Sequence, residues 1–125
     1  MLHRFDLHVH SFYSADAASA PERLIAAARA KGLSGIAITD HNTCEAIDYC
    51  LSNGLMNADG TPVDGFLVVP GVEVSTADGH LLCIGATLPD LLGVPAVEVE
   101  GAILEAGGVA IPAHPYDKWR AGIRE

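Results

Sequence analysis

The chain has 125 residues, half of them hydrophobic, and a mean hydropathy of +0.29, enough apolar content to core a single domain. Seven basic residues against sixteen acidic ones leave a net charge of −9 and a pI near 4.9. That balance argues against a nucleic-acid groove built from lysine and arginine, and against adhesion to anionic lipid. A phosphate-bearing substrate stays open, because bound divalent cations reverse the field locally.

Cys44, Cys50 and Cys83 are odd in number and lack CxxC spacing, which predicts three reduced, mostly buried thiols. The N-terminus has no signal-peptide pattern, and Asp6, His8 and His10 interrupt it early. No run approaches the roughly 18 apolar residues of a membrane span. The expectation is a soluble, cytoplasmic protein.

In chain order, residues 4–9 are a predicted strand. Alternation would send Phe5, Leu7 and Val9 into a core and Asp6, His8 and His10 to the other face. The polar loop around Ser11 to Ser19 carries Asp16. Pro21 opens a helix capped near Ser19 or Ala20, with Leu24, Ile25 and Ala28 as its buried stripe and Gly32 at its end. "LSGIAIT" is a short apolar strand of the kind covered on both faces in a parallel sheet. "TCEAIDYCL" is a helix capped by Asn42 or Thr43.

"SNGLMNADGTPVDG" carries turn residues throughout and predicts a loop. "FLVVPGVEVST" and "HLLCIGA" are strands joined by a turn at Ala77-Asp78-Gly79. "PAVEVEGAILEAGG" is a helix despite Val97 and Val99, which are poor helix formers, and it stops at Gly107-Gly108. "VAIPAHP" is the last strand. Strand–helix alternation of this kind argues for an α/β fold.

The polar residues cluster by position. His8 and His10 end the first strand, Asp16 follows it, Asp40 and His41 end "GIAITDH", Glu73 lies in "PGVEVS" and His114 in "IPAHP". Catalytic groups of (β/α) barrels gather at the C-terminal ends of the strands. Two histidines at i,i+2 on a strand point the same way. A lone Glu73 on a buried strand would be costly, which favours coordination. Asp40 can equally cap a helix, and His80 can equally be a turn residue. His3 precedes the strand and is expected to be exposed. Histidine and carboxylate ligands without cysteine point to Zn, Mn or Fe.

"DLHVHSFYSAD", "GIAITDHNT", "PGVEVST…GHLL" and "GGVAIPAHP" resemble, in order, the motifs of the PHP (polymerase and histidinol phosphatase) family, in the style of its stand-alone metal-dependent phosphoesterases. The resemblance implies a distorted (β/α)7 TIM-like barrel with two or three divalent ions. It implies hydrolysis of a small phosphorylated metabolite or nucleotide by a metal-activated water. By the same resemblance, His8 and His10 match ligands of one ion and Glu73 bridges to a second. His114 matches a ligand of that second ion, with His80 another candidate, and Asp16 and His41 match ligands of a third. Asp40 would orient His41 or a bound water; Asp40, His80 and His114 are the candidates for assisting the chemistry.

The family's last motif, Asp-x-His, is absent: after His114 the only acidic residues are Asp117 and Glu125, and no histidine follows. Residues 1–125 are therefore expected to be one domain of this kind, incomplete at its C-terminal end, the N-terminal part of the barrel. Lys118 and Arg120 could contact phosphate but read better as a solvated helix face. The alternative is a catalytically weak metal-binding module, or a fragment needing another chain to complete its barrel. An exposed sheet edge would then have to be covered, by homo-oligomerisation for instance.

Overall fold

The computed structural model describes residues 3–113. Its elements run β1 (Phe5–Val9), α1 (Pro21–Ala30), β2 (Gly35–Ile38), α2 (Glu45–Ser52), β3 (Leu67–Thr76), β4 (Gly79–Ile84), α3 (Ala96–Glu105) and β5 (Val109–Pro112). The five strands form a sheet in the order β1-β2-β3-β4-β5. β1, β2 and β3 are parallel, whereas β4 is antiparallel to both β3 and β5. The sheet is thus mixed: the Ala77-Asp78 turn leaves no room for a helix between β3 and β4, Gly79 already being the first residue of β4, and such a short connection permits only an antiparallel pair. The α/β class holds, with five strands and three helices among the described residues.

Two apolar cores lie along the helix-covered face of the sheet. Ile36, Ile38 and Val68 pack with Ala28 of α1 and with Ala46, Ile47 and Cys50 of α2. Val72, Val74, Leu81 and Cys83 pack with Val99 and Ile103 of α3, which explains why α3 forms although valine is a poor helix former. Burial decides over propensity there. All three cysteines are free; Cys50 and Cys83 are buried and Cys44 is half-buried between the cores. Burial pushes the Cys50 thiol up to about 12 and that of Cys83 up to about 11, so both behave as inert apolar side chains.

The first strand departs from simple alternation. Asp6 pairs with Ile36 and Val9 with Ile38, so three steps along β1 match two along β2, and the register shifts between them. Such an irregularity reverses which face the following residues occupy. Val9 joins the helix-covered core, and Asp6 is separated from the histidine row. Phe5 and Leu7 are not core residues as alternation predicted: they are 38% and 41% exposed, because β1 is an edge strand among the described residues.

Helix capping also differs. The N-cap of α2 is Cys44, not Asn42 or Thr43. Thr43 Oγ1 accepts the Glu45 N–H at 3.2 Å. Asn42 adopts a left-handed φ of 58° and turns its side chain to β3, where Oδ1 accepts the Ser75 N–H at 2.8 Å. The N-cap of α1 is Ala20, with Pro21 in the first turn, and Gly32 (φ 79°) follows the helix as expected. No described helix is long and apolar enough to cross a membrane.

Candidate metal centre

Glu73 lies within β3 rather than at its end, and it is 1% exposed. Its neighbours explain why a carboxylate is stable there. Oε1 is 2.7 Å from His8 Nε2 and 2.8 Å from His10 Nε2; Oε2 is 2.9 Å from His80 Nδ1. Three places in the fold supply these rings: β1, the residue just after it, and β4. His80 arrives through the antiparallel pair. It sits opposite Ser75, two residues from Glu73, so both side chains share one face. The N-terminal end of β4 therefore lies beside the C-terminal ends of the parallel strands. The second reading of His80, as a turn residue, does not hold: it is in a strand.

His41 stands beyond the end of β2 yet bridges to Glu73 in parallel pairing. Its Nε2 is 3.1 Å from Asp16 Oδ2, and its Nδ1 is 3.9 Å from Glu73 Oε1. Asp16 Oδ1 is also 3.5 Å from His10 Nδ1. His10 thus faces both carboxylates, and its ring lies 4.3 Å from that of His41. Asp16 is 59% exposed, so the outer pair is far wetter than the inner one.

The electrostatics follow. Burial would raise the Glu73 carboxyl, but hydrogen bonds from His10 and His8 outweigh it and hold the pKa at about 2. His10 is raised above its ordinary value, first by its hydrogen bond to Glu73, against the opposing effect of burial. Asp16 is lowered: its slight desolvation acts upward, and the hydrogen bond to His41 overcomes it.

Two sets of side chains gather donors closely enough to hold an ion: His8, His10 and Glu73, and His10, Asp16 and His41. Within each set the ligand atoms all lie within 4.8 Å of one another. Ligands at 2.0–2.2 Å from a tetrahedral ion stand about 3.4 Å apart, so only sub-ångström parting of His8 or His10 from Glu73 is required. Imidazole and carboxylate donors without thiolate suit a divalent zinc, manganese or iron ion. The donor set fits.

Asp40 is 1% exposed and its carboxylate is turned to the loop after β1; it accepts from the Ser11 N–H, from Ser11 Oγ at 2.6 Å and from Ser14 Oγ at 2.7 Å. It does not cap α2. Ser11 and Ser14 were invisible as site residues, since short polar residues in a loop read as turn formers; the signal was a buried aspartate demanding donors. His3 is exposed as expected, with Nδ1 3.1 Å from Ser34 Oγ. His114, Lys118 and Arg120 lie outside the described residues. A separate concavity of ≈ 510 Å³, bordered by Ile47, Leu51, Met56, Leu67 and Pro70, contains none of these ligands.

A mixed β-sheet with helices packed on it, and histidine–carboxylate clusters able to hold a metal beside its strand ends, define an α/β protein with a candidate metal centre. The PHP domain matches residues 6–89, and the chain belongs to that family. An uncharacterized protein of Methanocaldococcus jannaschii is 31% identical over 121 residues, covering 89% of this chain and 67% of its own. The error-prone DNA polymerase of Cutibacterium acnes is 32% identical over 123 residues, covering 90% of this chain but 10% of the polymerase.

Among solved structures, a two-domain protein of Bacteroides vulgatus containing a predicted PHP-like metal-dependent phosphoesterase superposes with a TM-score of 0.69 at 22% identity. It covers 93% of this chain, which spans 35% of that protein, and the likeness is one of fold. An amidohydrolase from Chromobacterium violaceum with bound sulfate and no metal gives a TM-score of 0.51 at 28% identity, over 82% of this chain and 31% of its own.

Proposed function

We propose that this chain carries the N-terminal part of a phosphoesterase centre that hydrolyses a small phosphorylated metabolite or nucleotide with two or three divalent ions. The observation that supports it most is Glu73, a buried carboxylate touched by His8, His10 and His80. Divalent ions at such a centre acidify water and polarise a phosphoryl oxygen.

The side chains divide the work. Glu73 lies between the two clusters' shared histidine and His80, and each of its oxygens serves a different strand. His8 and His10 would hold the first ion with it, and Asp16 and His41, beside His10, would hold the outer one. His80, whose Nδ1 lies 2.9 Å from Glu73 Oε2, or His114 would give a proton to the departing oxygen. Asp40 serves by positioning, since its carboxylate is occupied by Ser11 and Ser14. His114, by its motif, would add a ligand to the second ion, and the ligands of the absent Asp-x-His are still wanting.

The test is hydrolysis of p-nitrophenyl phosphate and its bis-ester by the purified chain with added Mn²⁺ or Zn²⁺. Metal-dependent turnover that His10→Ala abolishes and His3→Ala leaves intact supports the reading. Metal binding with no turnover of either ester supports the weak-binding alternative instead. Equal turnover by His10→Ala and the parent would sink the assignment.

A further inference from the structure

Beyond Val9 and Thr39 the β1–β2 ladder ends as a backbone structure. Its last link is the Thr39 N–H donating to the Val9 carbonyl at 2.7 Å. From there the two chain segments are joined through side chains. The Ser11 N–H and both serine hydroxyls donate to the Asp40 carboxylate. Each hydroxyl also accepts: Ser14 Oγ takes the His41 N–H at 3.0 Å, and Ser11 Oγ takes the Tyr13 N–H at 3.2 Å. Ser11, Ser14 and Asp40 are 0%, 3% and 1% exposed.

Asp40 continues the row of Ile36 and Ile38, where an apolar side chain would pack at no electrostatic cost. A buried carboxylate is costly unless its lone pairs are filled, and here three donors fill them. What the carboxylate achieves is a fixed separation. The donors of His10, Asp16 and His41 gather within 4.8 Å of one another, and Ser14 Oγ ties the loop leading to Asp16 directly to the backbone of His41.

We propose that Ser14, with Ser11 and through Asp40, is a positioning residue that sets the spacing of the His10, Asp16 and His41 group, and so the affinity of the outer ion. This rests on the metal reading above. Ser14 acts on the outer group because His41 and Asp16 lie on either side of it. Glu73 is paired in β3 with Leu82 of β4, and His8 meets Glu73 at 2.7 Å, so the inner pair is tied through β3 rather than through Ser14.

The experiment is zinc titration of the full chain by calorimetry, comparing the parent with Ser14→Ala and with Ser14→Thr, which keeps the hydroxyl. The parent should show a tighter and a weaker class of ion. Ser14→Ala should weaken the weaker class by roughly 10- to 100-fold, as losing a ligand's supporting group does elsewhere. The tighter class should stay unchanged and Ser14→Thr should recover the loss. Ser11→Ala, which removes one of three donors to Asp40, should give the same ordering if Ser14→Ala does not fold. Unchanged affinity, or parallel loss of both classes together with a lower Tm, overturns the proposal. If the parent binds no zinc, the metal reading fails, and the metal-free chain decides the positioning role by histidine-ring NMR. The His41 ring signal should then move in Ser14→Ala while that of His8 does not; an unmoved His41 signal overturns it.

Discussion

His41 and Glu73 are joined by their backbones before their side chains meet. The Glu73 N–H donates to the Asp40 carbonyl and the Asn42 N–H donates to the Glu73 carbonyl, each at 2.9 Å. This one bridge carries the β2–β3 pairing three residues past the end of β2. In parallel pairing, facing residues project the same way, so His41 and Glu73 are delivered to one volume by main-chain geometry.

Asn42 maintains that bridge at a conformational cost. Its φ of 58° is uncommon for a residue other than glycine, and its side chain holds the Ser75 N–H and, at 3.3 Å, Ser75 Oγ. Asn42→Ala should destabilise the chain by about 1–3 kcal/mol, through the lost partner and the retained left-handed backbone. Asn42→Gly, which relieves the backbone, should cost less. Urea unfolding of the three proteins measures the order; equal midpoints would show that Ser75 does not need this partner.

Gly71, two residues before Glu73, permits the close approach of β3 to its neighbours. A Cβ there would lie 2.5 Å from the Cys83 carbonyl oxygen and 3.0 Å from Thr39 Cγ2. Gly71→Ala should cost about 1–3 kcal/mol, as overpacking does in well-filled cores. It should also weaken metal binding, because β3 must shift to relieve the contact. Gly85→Ala is the contrast. Its Cβ would meet nothing within 4 Å, so its cost comes from the φ of 92° alone and metal affinity should be kept. Denaturation and zinc titration on both variants separate the two effects.

The pH dependence of the chain stripped of metal has two arms. Glu73 is held at about 2 against an ordinary 4.5, so its contribution is present above about pH 4.5 and lost as pH falls toward 2. His10 is raised above 6.5, so its contribution is full below pH 6.5 and lost as pH rises through the raised value. These are one interaction seen from its two partners. Stability should therefore peak between about pH 4.5 and 6.5 and decline on both sides. Zinc should abolish the alkaline decline, because ions bind the neutral imidazole. Chelated and zinc-loaded unfolding midpoints below, inside and above that window check both arms.

The cluster of His8, His10 and Glu73 was legible because two local rules sufficed: histidines at i,i+2 on a strand, and a carboxylate too costly to bury alone. The burial of β1 was not, since whether Phe5 and Leu7 meet a neighbour depends on strand order, and the register shift before Val9 depends on β2. The mixed sheet was half-written in the Ala77-Asp78-Gly79 turn, which the expectation of a parallel barrel overrode. Ser11 and Ser14 were hidden because their role exists only once Asp40, 26 to 29 residues away, is known to be buried.

Glu73→Gln offers the sharpest measurement on the inner cluster, because it keeps the side chain's shape and removes its charge. His8 and His10 both meet Oε1 while His80 meets Oε2, so an amide can present its oxygen to one side only and must set its NH₂ against the other. Without the carboxylate, the main cause of the raised His10 pKa is gone, and that pKa should fall toward its ordinary value. Zinc affinity at the inner cluster should drop by more than the roughly 10- to 100-fold that follows loss of a supporting group, because a ligand oxygen is itself neutralised. The outer group, which shares His10, should weaken less. NMR titration of the His10 ring gives the first quantity and calorimetry the second. An inner cluster that binds zinc as tightly in the Glu73→Gln variant as in the parent would mean that the histidines alone hold the ion.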